Sequence, residues 1–277
     1  MDQTPPTTTA VVSDGGTARV NALTADAMKL LTEIGRDFAP ASFATSLGAE
    51  DMVITDLIWR ANAQIEFFTL DTGRLPEETH RLIQEVRDHY GFAILAYAPE
   101  RENLESYVVT NGPNAFYGSI ELRKECCRIR KVEPLGRALA GKRAWITGLR
   151  REQSVTRADL GVREWDGDHK LEKFNPLIDW TTEDVWAYIR HHDVPYNELH
   201  DKGYPSLGCA PCTRAITPGE DIRAGRWWWE NPETKECGLH FDPAKAHREH
   251  GTPNNKVAQE SRPVVSETNK RKQERQT

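Results

Sequence analysis

The stretch that decides the fold is residues 41–60, which read ASFATSLGAEDMVITDLIWR. Ala41 to Ser46 is short and suits a buried strand, whereas Met52 to Arg60 carries apolar side chains at helical spacing. The loop between them, Ser46-Leu47-Gly48-Ala49-Glu50-Asp51, is built largely from small residues that favour a tight turn. This stretch therefore predicts a strand, a tight loop and a helix in direct succession.

The same alternation of strand and helix continues along the chain. Further strands are predicted over 64–70, 92–96, 143–147 and 171–177, with helices between most of them. Strands that alternate with helices indicate a parallel sheet covered on both faces, so we predict an α/β, Rossmann-like fold. Ligands of such sheets bind beyond the carboxyl ends of the strands, where the loops at 46–51, 71–73 and 148–154 would meet.

Both ends of the chain are polar and lack apolar periodicity. We predict a flexible tail over residues 1–20, one domain over 21–242 and a polar, disordered tail over 243–277. Thr24 is expected to cap the first helix of the domain. The last part of the domain, residues 213–242, is loop-rich.

Composition disfavours several classes of protein. The net charge of −6 gives no global attraction for nucleic acid, and no apolar run approaches the ~20 residues of a membrane span. The first 20 residues lack the pattern of a secretory signal. Five cysteines leave one unpaired, which fits a reducing compartment better than a disulfide scaffold. We therefore expect a cytoplasmic protein that binds neither nucleic acid nor membranes.

Four of the five cysteines form two close pairs. Cys126 and Cys127 are adjacent, and two residues separate Cys209 from Cys212. Four such thiols suit a soft metal centre, and adjacent cysteines suit a bulky [4Fe–4S] cluster better than one small ion. A zinc ion, or buried or disulfide-bonded cysteines, are the alternatives. The spacing favours the iron–sulfur cluster.

Several loops carry cations or polar groups that suit an anionic ligand. Lys131, Arg223 and Arg226 fit around a doubly charged group, with a solvated surface as the alternative. Arg150 and Arg151 follow a predicted strand and also suit an anion, again with a solvated charged face as the alternative. Asp71-Thr72-Gly73 offers a carboxylate and a hydroxyl to a ribose or adenine, or forms a simple Asx turn.

The fifth cysteine and a run of three tryptophans lie towards the C-terminus. A thiolate at Cys237 would be nucleophilic, and nearby cations would lower its pKa. An inert, buried thiol is the alternative. For Trp227-Trp228-Trp229 we expect core packing of at least two rings, although stacking on a base or a partner remains open.

Taken in order, these motifs resemble the adenylylsulfate/phosphoadenylylsulfate reductase family, a branch of the adenine-nucleotide α-hydrolase fold. The resemblance covers about residues 40 to 242 and rests on Ser46 to Asp51, Asp71-Thr72-Gly73, Gly148 to Arg151, the cysteine pairs and Glu236-Cys237-Gly238-Leu239-His240. Each motif alone is weak, whereas the ordered set is specific. The cysteine pairs resemble the iron–sulfur type, which mostly uses adenosine 5′-phosphosulfate (APS).

The resemblance implies thiol-dependent reduction of APS to sulfite and AMP, in sulfate assimilation and cysteine biosynthesis. Cys237 is implied to be the catalytic residue, on a mobile C-terminal segment, residues 213–242. It would form an S-sulfonate that thioredoxin or a similar dithiol then reduces. The implied ligands of a [4Fe–4S] cluster are Cys126, Cys127, Cys209 and Cys212. The implied substrate-binding residues are Ser46, Gly48, Asp51, Leu70, Thr72, Lys131, Gly148, Arg157, Arg223, Arg226 and His240.

Other functions remain as alternatives. Some cluster-bearing relatives also accept the 3′-phosphorylated nucleotide (PAPS), so a PAPS or dual reductase is the first of these. A nucleotide-dependent sulfur transferase is disfavoured because Leu47, Ala49 and Glu50 replace the glycine-rich pyrophosphate loop, and the acid would repel pyrophosphate. A non-catalytic iron–sulfur sensor would have no need of Cys237. The sequence leaves open whether the chain forms a homo-oligomer.

Overall fold

Six strands form one sheet in the computed structural model, which describes residues 14–153, 157 and 159–231. The strands are β1 (Ala41–Ala44), β2 (Ile65–Leu70), β3 (Leu95–Tyr97), β4 (Ala144–Ile146), β5 (Arg163–Asp166) and β6 (Leu171–Phe174). Their order is β3-β2-β1-β4-β6-β5, and every neighbouring pair is parallel except β5 with β6. The predicted α/β fold with a parallel sheet is confirmed.

Helices cover both faces of this sheet. They are α1 (Asp14–Asp37), α2 (Ala49–Arg60), α3 (Glu77–Tyr90), α4 (Arg101–Asn111), α5 (Ile120–Cys127), α6 (Glu133–Leu139) and α7 (Thr182–His192). On one face, α1, α2, α3 and α7 bury their apolar side chains against Phe43 and Ile146 of the central strands. On the other, Leu135 of α6 packs with Phe68 and Trp145. Alternate residues of the strands therefore point into two separate cores.

The order of the strands creates a crevice at the centre of the sheet. From β1 the chain proceeds to β2 and β3 on one side, and β4 then returns to the opposite side of β1. The strand order therefore reverses between β1 and β4, and this point is the usual position of a ligand site in an open parallel sheet.

A π-helical turn, Arg128–Val132, joins α5 to α6 directly after the paired cysteines. The sequence predicts a helix through this region and marks Pro134 as an exception. Pro134 has no N–H to donate to a carbonyl in the preceding turn, which accounts for the change in winding. π-Helical turns occur frequently at functional sites.

Two elements differ from expectation. Helix α1 begins at Asp14 and not near Thr24, so residues 14–20, expected in the N-terminal tail, are helical. The additional turns are held by Val20, which is buried in the core, and by Arg19, which pairs with Asp184 of α7 at 3.0 Å. Strand β5 was not predicted, because a polar edge strand lacks the apolar signal of a central one.

The described residues all lie in one compact unit, residues 1–241. Residues 1–13, most of 154–158, and 232–277 are outside the described part, so Cys237, His240 and the predicted tail over 243–277 are not among the described residues. No described helix combines the length and apolar character that a membrane span requires.

Candidate functional site

A cavity of about 230 Å³ lies beyond the carboxyl ends of β1, β2 and β4. Loops that follow these strands form its floor. A second part of its wall is formed by residues 205–209 and by Ile222, Arg223, Arg226 and Trp227, so segments far apart in the sequence converge here. The cavity lies where the site was predicted, beyond the carboxyl ends of the strands at the point where the strand order reverses.

Ten of the eleven predicted substrate-binding residues line this cavity. They are Ser46, Gly48, Asp51, Leu70, Thr72, Lys131, Gly148, Arg157, Arg223 and Arg226. The eleventh, His240, and the predicted nucleophile Cys237 lie outside the described residues. The structure therefore brings together every predicted binding residue that it describes.

The loop after β1 is closed by a buried carboxylate. Asp51 accepts hydrogen bonds from the backbone N–H of Ser46 at 2.5 Å and from its hydroxyl at 2.6 Å. Leu47, between them, has φ of 59° and a fully buried side chain, so its strained backbone is held by core packing. Burial raises the pKa of Asp51 to about 7, although both bonds from Ser46 act in the opposite direction.

Gly148, which follows β4, lies against this carboxylate. A Cβ atom at position 148 would overlap the Oδ1 atom of Asp51 and approach the side chain of Glu50 to 3.2 Å. The absence of a side chain therefore lets the β4 loop approach the β1 loop, and the close contact explains why glycine is needed.

Arg150 and Arg151 do not line the cavity, contrary to their suggested role in binding an anion. Arg150 is fully buried and pairs with Glu50 at 2.8 Å and Glu152 at 2.7 Å. Arg151 pairs with Asp179. These arginines hold the loops in place. Arg150 compensates the charge of Glu50, so this carboxylate repels pyrophosphate less than the sequence alone suggests.

His200 is a cavity residue that sequence reasoning missed. Its Nε2 atom accepts the backbone N–H of Ala49 at the start of α2 (3.2 Å), and its Nδ1 faces the carbonyl of Tyr204 at 2.8 Å. Burial lowers the pKa of His200, which favours the neutral ring that these contacts require. No local motif marks this histidine, because its role depends on a loop crossing from a distant part of the chain.

Cations gather at one side of the cavity. Arg226 is buried and donates to the carbonyl of Leu207, and a Cβ atom at position 208 would overlap its guanidinium group. Lys131, in the π-helical turn, and Arg223 also line the wall. Their combined positive charge makes this side suitable for a strongly anionic group.

The four paired cysteines line a second, smaller cavity. Cys126, Cys127, Cys209 and Cys212 are all free thiols, so the disulfide alternative is wrong for them. Four cations share the lining: Arg74, Arg123, Arg130 and Lys131. In the described part of the chain, no group of three or more His, Cys, Asp or Glu side chains has the arrangement of a single-ion site.

The two cavities share a wall. Lys131, Cys209 and Trp227 line both of them. Cys209 Sγ lies 3.3 Å from the hydroxyl oxygen of Thr72, which also faces the first cavity. Burial opposes ionisation of Cys209, but Lys131, the Thr72 hydroxyl and nearby arginines together hold its pKa below the ordinary value. A charge in one cavity therefore acts electrostatically on the groups that line the other.

Asp71 stabilises a turn and does not contribute to the cavity. The Asp71 carboxylate accepts the backbone N–H of Gly73 at 2.9 Å, which is the Asx turn that the sequence left as the alternative. Asp71 does not line the cavity, whereas Thr72 does.

The tryptophan run is divided between core and surface. Trp227 is buried, and the guanidinium groups of Arg123 and Arg226 each lie 4.8 Å from its ring centroid. Trp229 is half-buried and packs on the small core that contains Cys126. Trp228 is exposed. The expected packing of at least two rings is confirmed.

A family model of the phosphoadenosine phosphosulfate reductase domain matches residues 40–215, which include both cavities except for residues after 215. The chain belongs to this family. Within it, the chain is 62% identical over 216 residues to the adenosine 5′-phosphosulfate reductase of Allochromatium vinosum, covering 78% of this chain and 84% of that protein. It is 55% identical over 225 residues to the enzyme of the same name from Burkholderia cepacia, covering 80% and 90%.

Solved structures show the same fold. The crystal structure of phosphoadenylyl-sulfate (PAPS) reductase from Candida auris, a phosphate complex, matches with a TM-score of 0.60 at 26% identity, covering 75% of this chain and 98% of that one. Candida glabrata FMN adenylyltransferase matches with a TM-score of 0.52 at 16% identity, covering 87% and 85%. The second likeness concerns the fold alone.

Replacing Gly148 with alanine tests the close contact with Asp51. The added methyl group must displace a buried carboxylate, so we expect Gly148→Ala to lower the free energy of unfolding by about 1–3 kcal/mol. The matched control is Gly136→Ala in α6, where a Cβ atom meets nothing within 4 Å. Alanine is favoured over glycine inside a helix, so the control should gain about 0.5–1 kcal/mol. Urea unfolding of both variants would contradict this account if they changed stability equally.

The raised pKa of Asp51 predicts a specific dependence of stability on pH. Between the ordinary value of 3.8 and about 7, the native state retains a proton that the unfolded chain releases. Stability from this group therefore falls as pH rises through that interval, by up to about 1.4 kcal/mol per pH unit. Asp51→Asn cannot titrate and should lose this slope. Urea unfolding of both proteins at pH 5, 6 and 7 measures it, and parallel profiles would show that Asp51 titrates normally.

Proposed function

We propose that this protein reduces adenosine 5′-phosphosulfate to sulfite and AMP, in assimilatory sulfate reduction and cysteine biosynthesis. The observation that carries the proposal is the wall shared by a crevice at the sheet's switch point and a cavity of four thiols, with cations on both sides. The relatives named adenosine 5′-phosphosulfate reductase, 62% and 55% identical, support the same substrate.

The nucleotide would bind across the crevice, with its phosphosulfate towards the cations. Backbone groups near Ser46, Leu70 and Gly148 and the buried Asp51 suit the adenosine portion, because they combine close backbone approach with fixed polar groups. Gly48, Thr72 and Arg157 complete the proposed nucleotide contacts.

The phosphosulfate carries two negative charges that the protein must offset. Lys131, Arg223 and Arg226 line the crevice, and we propose that they bind this group. Lys131 and Arg226 also act on Cys209, whose pKa they help to lower. His240, three residues after Cys237 in the sequence, is proposed to join them. Cations held in a partly buried wall stabilise anionic charge more strongly than exposed ones.

Cys237 is the proposed nucleophile. Its thiolate attacks the sulfur atom of the sulfonate, a bond forms between the two sulfurs, and the bond from that sulfur to the bridging oxygen breaks. AMP leaves with the electron pair, and the protein retains a Cys–S–SO₃⁻ adduct. This covalent step divides a difficult reduction into two easier ones.

A dithiol protein of the thioredoxin type completes the proposed cycle. One of its thiolates attacks the Cys237 sulfur, and sulfite leaves with the electrons of the broken sulfur–sulfur bond. Its second thiol then resolves the mixed disulfide and restores Cys237 as a thiolate. The dithiol is oxidised by two electrons, and sulfur is reduced from the sulfate to the sulfite level. This chemistry suits the cytoplasm, where such dithiols are kept reduced.

We propose that Cys126, Cys127, Cys209 and Cys212 hold a [4Fe–4S] cluster. Four soft thiol ligands fit this group, and the four lining cations would offset its negative charge. When bound, the cluster would supply a fixed charge beside the substrate, since the dithiol already provides both electrons. Lys131 lines both cavities, and we propose that it links the charge of one to that of the other.

The decisive experiment traps the adduct. Anaerobically purified protein is incubated with ³⁵S-labelled APS without a reductant, and the label is mapped by mass spectrometry. We expect one label per chain on Cys237, none in Cys237→Ser, and release of labelled sulfite when reduced thioredoxin is added. Label on another thiol, or no label, would refute the proposed chemistry. Equal labelling by PAPS at low concentration would identify a dual reductase.

Metal analysis tests the cofactor separately. Anaerobically prepared protein should contain about four iron atoms and four acid-labile sulfides per chain. Replacing Cys209 by serine should abolish both, whereas Cys237→Ser should retain them, because Cys237 is not one of the four proposed cluster ligands. Zinc in place of iron, or equal loss of iron in both variants, would contradict the assigned ligands.

A further inference from the structure

Two exposed aromatic rings form a patch near the point where the described chain ends. Tyr117 is 44% exposed and Trp228 is 40% exposed, and their ring centroids are 6.4 Å apart. Both rest on the ring of Trp229, at 4.5 Å and 4.8 Å. We refer to Tyr117 and Trp228 as the aromatic patch. Neither ring lines the two cavities, so the proposed chemistry does not account for the patch.

A hydrogen bond and aromatic packing hold the patch in place. The Tyr117 hydroxyl donates to the carbonyl of Pro211, between Cys209 and Cys212, at 2.7 Å. Trp229 packs against the small core that also contains Phe116. Aromatic rings fixed before binding lose little conformational entropy when a partner covers them, and they supply much of the binding energy at many interfaces.

Trp228, one of the two patch residues, is close in sequence to the proposed nucleophile. Cys237 lies six residues after Asn231, the last described residue, and a chain of six residues spans at most about 21 Å. A protein that reaches Cys237 would bury about 800 Å² on this chain, a footprint of roughly 30 Å across. Such a footprint is wide enough to include the ring of Trp228, three residues before Asn231, and the neighbouring ring of Tyr117.

The residues that directly follow the described chain offer little apolar side chain to cover the patch. Residues 232–236 read Pro-Glu-Thr-Lys-Glu, and the first apolar side chains beyond them, Leu239 and Phe241, flank the proposed phosphosulfate-binding His240. Apolar ring surface is covered most favourably by the apolar surface of another molecule. A partner protein with apolar residues around its reactive thiols therefore fits the patch better than the polar residues 232–236 do.

We propose that Tyr117 and Trp228 form a docking surface for the dithiol protein that reduces the Cys237 adduct. This inference rests on the proposed function, since it assigns a binding surface to the second step of that cycle. The rings hold the partner while its thiolate attacks the Cys237 sulfur. Neither ring lines the crevice or the thiol cavity.

The test compares a protein reductant with a small one. Trp228→Ala should raise the KM for thioredoxin about tenfold, which corresponds to about 1.4 kcal/mol of lost binding. Its turnover with dithiothreitol, and its adduct formation from ³⁵S-labelled APS, should equal those of the unaltered protein. Trp228→Phe should retain most of the affinity. The matched control is Trp165→Ala, which removes a 64% exposed tryptophan from edge strand β5 and should change nothing.

Several outcomes would overturn the docking surface. An unchanged KM for thioredoxin in Trp228→Ala would do so directly. Slower adduct formation would show that the ring positions the chain's own C-terminal segment, and a changed elution volume on gel filtration would show that it joins two copies. Failure of the proposed function is distinguishable, because the unaltered protein would then form no adduct and release no sulfite even with dithiothreitol. Unfolding curves of each variant verify that it is folded.

Discussion

Charge compensation around Lys131 is the constraint on which the rest of the site depends. A wall only one side chain thick separates a crevice suited to a doubly anionic group from a cavity lined by four thiols. Negative charge on both sides would repel across such a short distance unless cations lay between. Lys131 and Arg226 meet this requirement, and their effect is visible in the lowered pKa of Cys209, the one thiol that lines both cavities. Burial instead raises the pKa of Cys212 to about 12.

The loops that form the crevice are fixed by contacts at the ends of the central strands. Strands β1 and β4 are neighbours at the point where the strand order reverses, and Gly148, after β4, lies against the buried carboxylate of Asp51. Arg150 and Glu50 then fix these loops from behind with a buried ion pair. A pair of this kind is a weak source of net stability, but breaking it would leave an uncompensated charge, so it enforces one loop geometry.

The sequence was sufficient where the pattern was local. Alternating strands and helices predicted the α/β fold, and the family resemblance that the ordered motifs carry implied ten residues that line one cavity. It was insufficient where neighbours come from afar. His200 reaches the start of α2 through tertiary folding alone, and Arg150 resembles an anion ligand until its buried partners are known. The early start of α1 was missed for the same reason, since a contact such as Arg19 with Asp184 leaves no local signature. Strand β5 was missed because a polar edge strand lacks the apolar signal of a central one.

The π-helical turn at Arg128–Val132 has a consequence for how this region divides its work. Each residue of an α-helix advances the side-chain direction by about 100°, so one residue accommodated in a wider turn rotates everything after it by that amount. Leu135 can then stay in the sheet's core while Cys126 and Cys127 face a different compartment. A regular α-helix over the same residues could not place both Leu135 in the core and the two cysteines in the second cavity. The altered winding lets one continuous helical segment pack into the sheet's core at one end and present two cysteines to the second cavity at the other, with Lys131 between them.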